Sequence, residues 1–222
     1  MKGDIPMLGI IIKDYYESFC LKKNLIGLTF SLICFITIII CMHNQYAYIL
    51  LVGLTLPMIG VSTLQYSMEQ DEISKYDQIL LTFPLTKKEI VKAKMLATLS
   101  FTTLSNILIN IPIFFIYVFI YKSIDLELGL IVLFTGYILS YSLNVINSIG
   151  FFILGNKKGS IMYIILMVLL AFGYVISNFA FDLTSILTLG STKLLIIGAA
   201  LAIILNIFSY HACIKIYTRK HS

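Results

Sequence analysis

Residues 69–94 read EQDEISKYDQILLTFPLTKKEIVKAK and form the long charged segment of an otherwise apolar chain. This segment holds five of the sixteen basic residues and five of the eleven acidic residues. Its apolar residues recur at steps of three and four, which predicts a helix with one apolar face. Pro84 is predicted to end that helix, because proline lacks an amide hydrogen and disfavours helical geometry at the preceding residue. The residues of the apolar face are Ile73, Tyr76, Leu80 and Phe83.

A second helix is predicted to start after Pro84, with a capping box in its first turn. Thr86 can accept a hydrogen bond from the amide of Glu89, and the Glu89 carboxylate can accept one from the amide of Thr86. Lys87 and Lys88 follow the cap, where the helix macrodipole disfavours positive charge, so membrane topology or a partner must favour them there. For these two lysines alone, anchoring near anionic head groups is the simpler explanation.

The 69–94 segment as a whole, an amphipathic helix joined to a capped helix at a proline, is predicted to be a docking element. Its apolar face can fill a groove of a partner, and the adjacent charges can orient that partner. The candidate contact residues are Glu72, Ile73, Tyr76, Leu80, Phe83, Pro84, Lys87, Lys88 and Glu89.

The rest of the chain has the composition of a polytopic membrane protein. Of the 222 residues, 59% are hydrophobic and 12% are charged, which fits no class of soluble globular protein. A span needs about 20 mostly apolar residues. The predicted fold class is therefore an all-α integral membrane protein, with six transmembrane helices in a single domain, 1–222. The predicted spans are about 25–42, 48–64, 96–120, 128–154, 161–179 and 194–210.

Residues 1–23 are predicted to form an interfacial helix and not a signal peptide. The apolar run near the N-terminus is short, is interrupted by charged residues and lacks a small-residue cleavage site. Apolar residues on one side and charged residues elsewhere favour a helix that lies along the membrane surface. The apolar side holds Leu8, Ile11, Tyr15 and Phe19, and the charged residues are Lys13, Asp14 and Glu17.

The basic residues are distributed unevenly among the predicted connecting segments. Fourteen of the sixteen fall in the alternate segments 1–24, 65–95, 155–160 and 211–222. The positive-inside rule then predicts a multi-pass protein of the plasma membrane with both termini and residues 69–94 in the cytoplasm. The net charge of +5 therefore reflects topology. Nucleic acid is excluded as a partner, because the basic residues do not gather in one soluble patch.

The sequence PLTKKEIVKAK at residues 84–94 resembles the cytoplasmic segment between the second and third helices of ABC-transporter permeases of the type-2 export class. Residues 12–14 (IKD) and 22–23 (KK) resemble more weakly the short basic helix that precedes the first span in that family. The resemblance implies a permease that pairs with a second copy or a paralogue, forms a translocation route at the interface and docks a separate cytoplasmic ABC ATPase. ATP and magnesium would bind to that ATPase, so this chain would bind no cofactor and catalyse no reaction. The implied cargo is an amphipathic peptide, a toxin or antibiotic, or a lipid-like molecule.

Two alternatives to this interpretation remain open from the residues. An ion-coupled carrier is disfavoured, because no ionisable residue lies in the middle of a predicted span and proton relays need buried acids or histidines. A membrane immunity or scaffold protein that transports nothing fits the same composition. No metal site is assigned, because the histidines are not grouped with carboxylates and the cysteines lack zinc-site spacing.

The third and fourth predicted spans carry stripes of hydroxyl and amide side chains. In hydrocarbon such groups need partners, so they face other helices or a wet cavity. Helix–helix packing is the more general use of such residues, and lining of a translocation route is the alternative. The stripe residues are Thr103, Asn106, Asn110, Ser140, Asn144, Asn147 and Ser148.

Overall fold

The computed structural model describes residues 4–180 and 192–220, and all regular structure in those ranges is helical. Helices are the expected solution for apolar runs, because each satisfies its own backbone hydrogen bonds. Residues 1–3 of the predicted N-terminal helix and most of the predicted connection 180–192 lie outside the described residues. The helices are α1 Asp4–Phe19, α2 Lys22–Cys41, α3 45–74, α4 Tyr76–Leu80, α5 Lys87–Ile120, α6 Leu126–Ala180 and α7 Thr192–Lys220.

Four of the described helices are long and apolar enough to cross a membrane. They are α2, α5, the Leu126–Ser177 part of α6, and α7. Helix α6 is interrupted at Gly155, whose φ of 76° and ψ of −179° are not helical. Glycine suits this position because it has no Cβ to clash at positive φ. Helix α6 therefore consists of two helical halves, 126–154 and 156–180, on either side of this break.

Helix α3 differs from the prediction for the second span. It consists of α-helical Gln45–Tyr48, π-helical Ile49–Thr55 and α-helical Leu56–Ser74. It does not end near residue 64 but runs into the charged segment as far as Ser74. Lys75 ends it in a left-handed conformation with φ 54°, and the Lys75 amide donates to the carbonyl of Asp71. The predicted amphipathic helix is therefore divided between α3 and α4.

At one end of the molecule, α3, α5 and α6 pack around buried tyrosines. The Tyr48 hydroxyl donates to the carbonyl of Gly129 at 2.8 Å, and the Tyr117 hydroxyl donates to the carbonyl of Met42 at 2.7 Å. Nearby, α3 and α6 approach so closely that a Cβ on Gly136 would lie 2.4 Å from the carbonyl oxygen of Val52. This end also carries the loops that follow α2 and α5, because the rings of His43 and Tyr121 are 4.1 Å apart.

At the opposite end, α1 packs against α3 and α5, and a second apolar cluster joins α4 to α5, α6 and α7. The orientation of α1 differs in part from the prediction. Asp14 of the predicted charged side is buried, and Leu8 of the predicted apolar side is exposed. Ile11, Tyr15 and Phe19 of the apolar side are half-buried, and the Phe19 ring lies 5.0 Å from the ring of Phe101 in α5. The charged side of α1 faces inward because it finds ionic partners in the protein.

Candidate functional site

The candidate site is the corner between α3 and α5, residues 75–89, together with the side chains directly beneath it. Both hydrogen bonds of the predicted capping box are present at the start of α5. The Thr86 amide donates to the Glu89 carboxylate at 2.7 Å, and the Glu89 amide donates to Thr86 Oγ1 at 3.3 Å. The hydrogen bond from the Thr86 amide lowers the pKa of Glu89. This cap fixes the direction in which the chain enters α5.

The corner has an inner and an outer side, and the four residues of the predicted apolar face do not share one side. Leu80 is fully buried, in the apolar cluster that contains Ile90 and Cys213. By contrast, Ile73 is 68% exposed and Phe83 is 44% exposed. The left-handed residue between α3 and α4 rotates the two helices relative to each other, so a single periodicity does not apply across it. The prediction of one contact face that includes Leu80 is therefore wrong.

The outer side of the corner still combines apolar and charged groups. The exposed apolar side chains come from the end of α3, from α4 and from the following turn, and exposed charges of both signs surround them. Tyr76, Lys87 and Glu89 are half-buried. The exposed apolar and charged residues of this side are Glu72, Ile73, Lys75, Ile79, Leu81, Phe83, Pro84 and Lys88.

Beneath the corner lies a cluster of buried charges, which we call the ion cluster: Lys13 of α1, Asp71 of α3 and Lys94 of α5. Asp71 is fully buried and Lys94 is 1% exposed. Lys13 Nζ donates to Asp71 Oδ1 at 2.5 Å, and Lys94 Nζ donates to Asp71 Oδ2. Lys94 also donates to Ser67 Oγ at 3.0 Å. One carboxylate therefore binds two ammonium groups that come from two other helices.

Further groups on α1 and α4 complete the surroundings of Lys13. Its ammonium group lies 2.9 Å from Glu17 and 3.2 Å from Asp14. It also lies 4.4 Å from the centre of the Tyr76 ring, a distance typical of a cation–π contact. Through Tyr76 the ion cluster contacts the corner itself.

The charges in the cluster stabilise one another in their ionised forms. Burial alone would raise the pKa of Asp71, but the ammonium groups of Lys94 and Lys13 outweigh it and hold that pKa below its ordinary value. Burial and the charge of Lys94 oppose ionisation of Lys13, yet Asp14 and Asp71 raise the pKa of Lys13 above its ordinary value. At neutral pH Asp71 and Lys13 are therefore ionised.

The ion cluster was not predicted from the sequence. Lys13 falls on the charged side of the predicted interfacial helix, and Lys94 lies outside the third predicted span. A local signal existed, because Lys94 is flanked by Ala93 and Met95 at the beginning of an apolar run, and a lysine in such a position needs a partner. The identity of that partner could not be read from periodicity, because Asp71 lies 23 positions before Lys94 and 58 positions after Lys13.

Most of the predicted polar stripe is buried, and part of it joins α5 to α6. Asn106 and Asn110 are joined by a 2.9 Å hydrogen bond, and Ser140 of α6 donates to Asn106 Oδ1 at 3.3 Å. Asn144, Asn147 and Ser148 are also buried. Thr103 differs, because it is exposed and contacts the Tyr141 hydroxyl at 2.9 Å. The buried residues of the stripe are therefore inside the single chain, and both uses of the stripe, helix packing and lining of a route, stay predictions.

A cavity of ≈ 820 Å³ opens between α5, α6 and α7. Its wall is almost entirely apolar and includes Leu99 and Phe134. Four residues with polar groups also line it, namely Tyr137, Tyr141, Thr192 and Asn206. The Asn206 amide donates to the Tyr141 carbonyl at 3.0 Å, and its buried oxygen accepts no hydrogen bond from the residues that the structure describes.

Comparison with known proteins identifies the family. The comparisons with curated proteins and with solved structures give no significant match. The family model described as "ABC-2 family transporter protein" matches residues 9–218, which is nearly the whole chain. Together with the long apolar helices, this match indicates a multi-pass membrane protein. The chain therefore belongs to the ABC-2 family of transporter membrane proteins, which are the membrane components of ABC transporters and are not themselves catalytic.

Proposed function

We propose that this protein is the permease subunit of an ATP-driven exporter. The observation that carries the proposal is the family match over residues 9–218. ABC-2 permeases normally work with an ATPase subunit. In this proposal ATP and magnesium bind to that separate subunit, this chain binds no cofactor, and two permease chains, identical or paralogous, form the translocation route between them.

The proposal includes six spans with both termini in the cytoplasm of a cell-membrane protein. The break at Gly155 supports it, because each half of α6 then contains at least 25 residues, about 37 Å at 1.5 Å per residue, which is enough to cross a bilayer. The proposed cytoplasmic end contains the ion cluster, the corner and the basic C-terminal part of α7. The His43 and Tyr121 loops lie at the other end, so successive helices run in opposite directions.

The corner is the proposed docking site for the ATPase. Its outer side presents Ile79, Leu81 and Phe83, and Lys75 and Lys88 are exposed beside them. An apolar groove with an acidic rim would complement this surface. Leu80 does not belong to the proposed contact, because it packs within the permease.

The proposed cargo is an amphipathic peptide, a toxin or antibiotic, or a lipid-like molecule. The apolar cavity between α5, α6 and α7 supports this class of cargo. Its walls suit acyl chains or apolar side chains, and Tyr141 and Asn206 add a few polar groups. An inorganic ion or a sugar would find little to bind there.

The docking proposal can be tested by purifying tagged permease from its native membranes and detecting any ABC ATPase that co-purifies with it. Phe83→Asp and Ile79→Asp place a carboxylate on the outer side of the corner, where both native side chains are exposed, so the fold should tolerate them. An unpaired charge buried at the contact should cost several kcal/mol, about a hundredfold or more in affinity. We therefore expect that the ATPase no longer co-purifies with either variant. The amount of permease in the membrane should stay normal.

The matched control is Met42→Asp, an equally exposed apolar residue at the opposite end of the molecule, which should retain the ATPase. A complex that survives both corner substitutions would exclude the corner as the docking site. Wild-type protein that purifies without an ATPase would instead favour an immunity or scaffold protein.

A further inference from the structure

The ion cluster links three helices that differ in their relation to the proposed docking site. Asp71 lies four residues before Lys75, where α3 ends and the corner begins. Lys94 lies in the second turn of α5, the helix that continues from the corner through 34 residues. Lys13 belongs to α1 and contacts the corner through the ring of Tyr76 at 4.4 Å. The carboxylate of Asp71 is the point at which all three meet.

Stability alone does not explain why charged residues occupy this place. Moving charges out of water is unfavourable, and apolar residues of similar volume often hold helices together equally well or better. The neighbouring contacts of the same helices are apolar, among them Ile10 of α1, Ile90 of α5 and Leu80 of α4. An ion cluster adds directional contacts to such packing, because each Asp71 oxygen binds one particular ammonium group.

This geometry makes the relative position of the helices specific. Asp71 Oδ1 binds Lys13 and Asp71 Oδ2 binds Lys94. Rotation of the end of α3 would break both contacts together and leave the buried Lys94 and the half-buried Lys13 without a shared anion. Apolar contacts, by contrast, tolerate sliding. The corner, α1 and the start of α5 are therefore expected to move as one unit.

We propose that Asp71, Lys13 and Lys94 are positioning residues that transmit movement of the docking corner to the membrane helix α5. This inference rests on the proposed function, because the movement would originate in the ATPase bound at the corner. The ion cluster contacts neither ATP nor cargo, since it lies beneath the corner and outside the apolar cavity. It acts by holding α1, α3 and α5 in register while the corner is displaced.

The first experiment tests the mechanical part of the inference on the full-length permease without an ATPase. Hydrogen–deuterium exchange is measured for α1 and the corner in wild type and in Asp71→Asn. Removal of one partner from a buried ion pair should raise exchange in both segments about 100-fold or more. The control is Glu69→Gln, two positions before Asp71. It removes the salt bridge between Glu69 and the exposed Lys23 and should leave exchange nearly unchanged. Equal exchange in Asp71→Asn and wild type would overturn the inference.

The second experiment separates positioning from mere stability. The double variant Asp71→Asn/Lys94→Met removes both charges together and leaves Lys13 paired with Asp14 and Glu17. Replacing both partners by neutral groups should restore folding far better than Asp71→Asn alone. Folding is measured by monodispersity in detergent, and ATPase binding by co-purification.

In the reconstituted complex, we expect the double variant to bind the ATPase normally but to lose most of the permease-dependent change in ATPase kcat. The KM for ATP should stay constant, because the nucleotide site lies on the other subunit. A double variant with wild-type kcat would show that the ion cluster is structural only and would overturn the inference. If wild-type permease binds no ATPase, the proposed function itself fails, and the exchange result remains as a separate measurement.

Discussion

Leu80 and Phe83 are three positions apart and have opposite surroundings. Leu80 is fully buried among residues of α5 and α7, whereas Phe83 is 44% exposed on the outer side of the corner. A charged substitution should therefore have a different effect on the structure at each position. At Leu80 it would disrupt the apolar cluster that holds the corner to the protein. At Phe83 it would change the outer surface and leave the core intact.

The shifted pKa values of Asp71 and Lys13 predict that the stability of the protein depends on pH. The folded pKa of Asp71 is lowered, so its stabilisation is complete above 3.8, its unfolded value, and is lost as pH falls through the folded value. The folded pKa of Lys13 is raised, so its stabilisation is complete below 10.5 and is lost as pH rises through the folded value. The difference in melting temperature between wild type and Asp71→Asn should therefore stay constant between about pH 5 and 9. It should shrink at both extremes.

Thermal unfolding of both proteins can be followed at each pH by the loss of helical circular dichroism in one detergent. Glu17 is present in both proteins, so the effect of its burial-raised pKa largely cancels in the difference. A difference in melting temperature that does not change down to pH 2 would contradict the ionic description of the cluster.

Among the helices, α3 and α6 make the closest approach described above. At Gly136 a Cβ would lie 2.4 Å from the Val52 carbonyl oxygen, in the π-helical part of α3. Backbone can come this near only where the facing residue has no side chain. The π-helical turn and the glycine therefore act together to set the distance between the two helices.

Gly136→Ala is predicted to destabilise the protein by about 1–3 kcal/mol, because the methyl group forces α3 and α6 apart. Gly173→Ala is the matched control in the same helix, since nothing lies within 4 Å of a Cβ there. That control should be neutral or slightly stabilising, because alanine favours helix more than glycine does. The measurement is the thermal unfolding midpoint of both variants in one detergent. Equal midpoints would mean that the close approach does not constrain the fold.

At the scale of helices, local features could be predicted and long-range pairings could not. The capping box at Thr86 and Glu89 was predictable because both residues lie within one turn. The burial of Asp14 in α1 was not predictable, since the neighbouring Lys13 turns inward to bind Asp71 of α3, 58 positions away. The corner shows the same contrast between features that could be predicted and features that could not. Its proline and cap were visible in the sequence, but the left-handed Lys75, which directs Leu80 inward, has no strong sequence signal.

At the scale of the whole molecule, the helix ends form two chemically different surfaces. The end with the ion cluster also brings the Gly155 break near Lys220, whose ammonium group would lie 3.9 Å from a Cβ at Gly155. The other end carries the His43–Tyr121 contact. Membership of the ABC-2 family was predicted from the short motif at residues 84–94, and the family match confirms it.

The whole-molecule prediction concerns orientation in the membrane. In a cysteine-free background, His43→Cys and Asp125→Cys should react with a membrane-impermeant maleimide added outside intact cells. Gln78→Cys and Lys158→Cys should react only after the membrane is opened. All four native residues are exposed, so burial does not affect the comparison. External labelling at position 78 would overturn both the orientation and the docking proposal.

The inward-facing charges of α1 also constrain the order of events during synthesis. Lys13 leaves the ribosome 81 residues before Lys94, which corresponds to about 4–16 s at 5–20 residues per second. Asp71 follows Lys13 by 58 residues, so until then α1 has no anion from α3 to bind, and it has no α5 to pack against until Lys94 is made. Helix α1 therefore waits for two later helices before it can reach its place. A truncated chain that stops before α3 would leave Lys13 with only Asp14 and Glu17 of its own helix, a state that quality-control proteases could recognise.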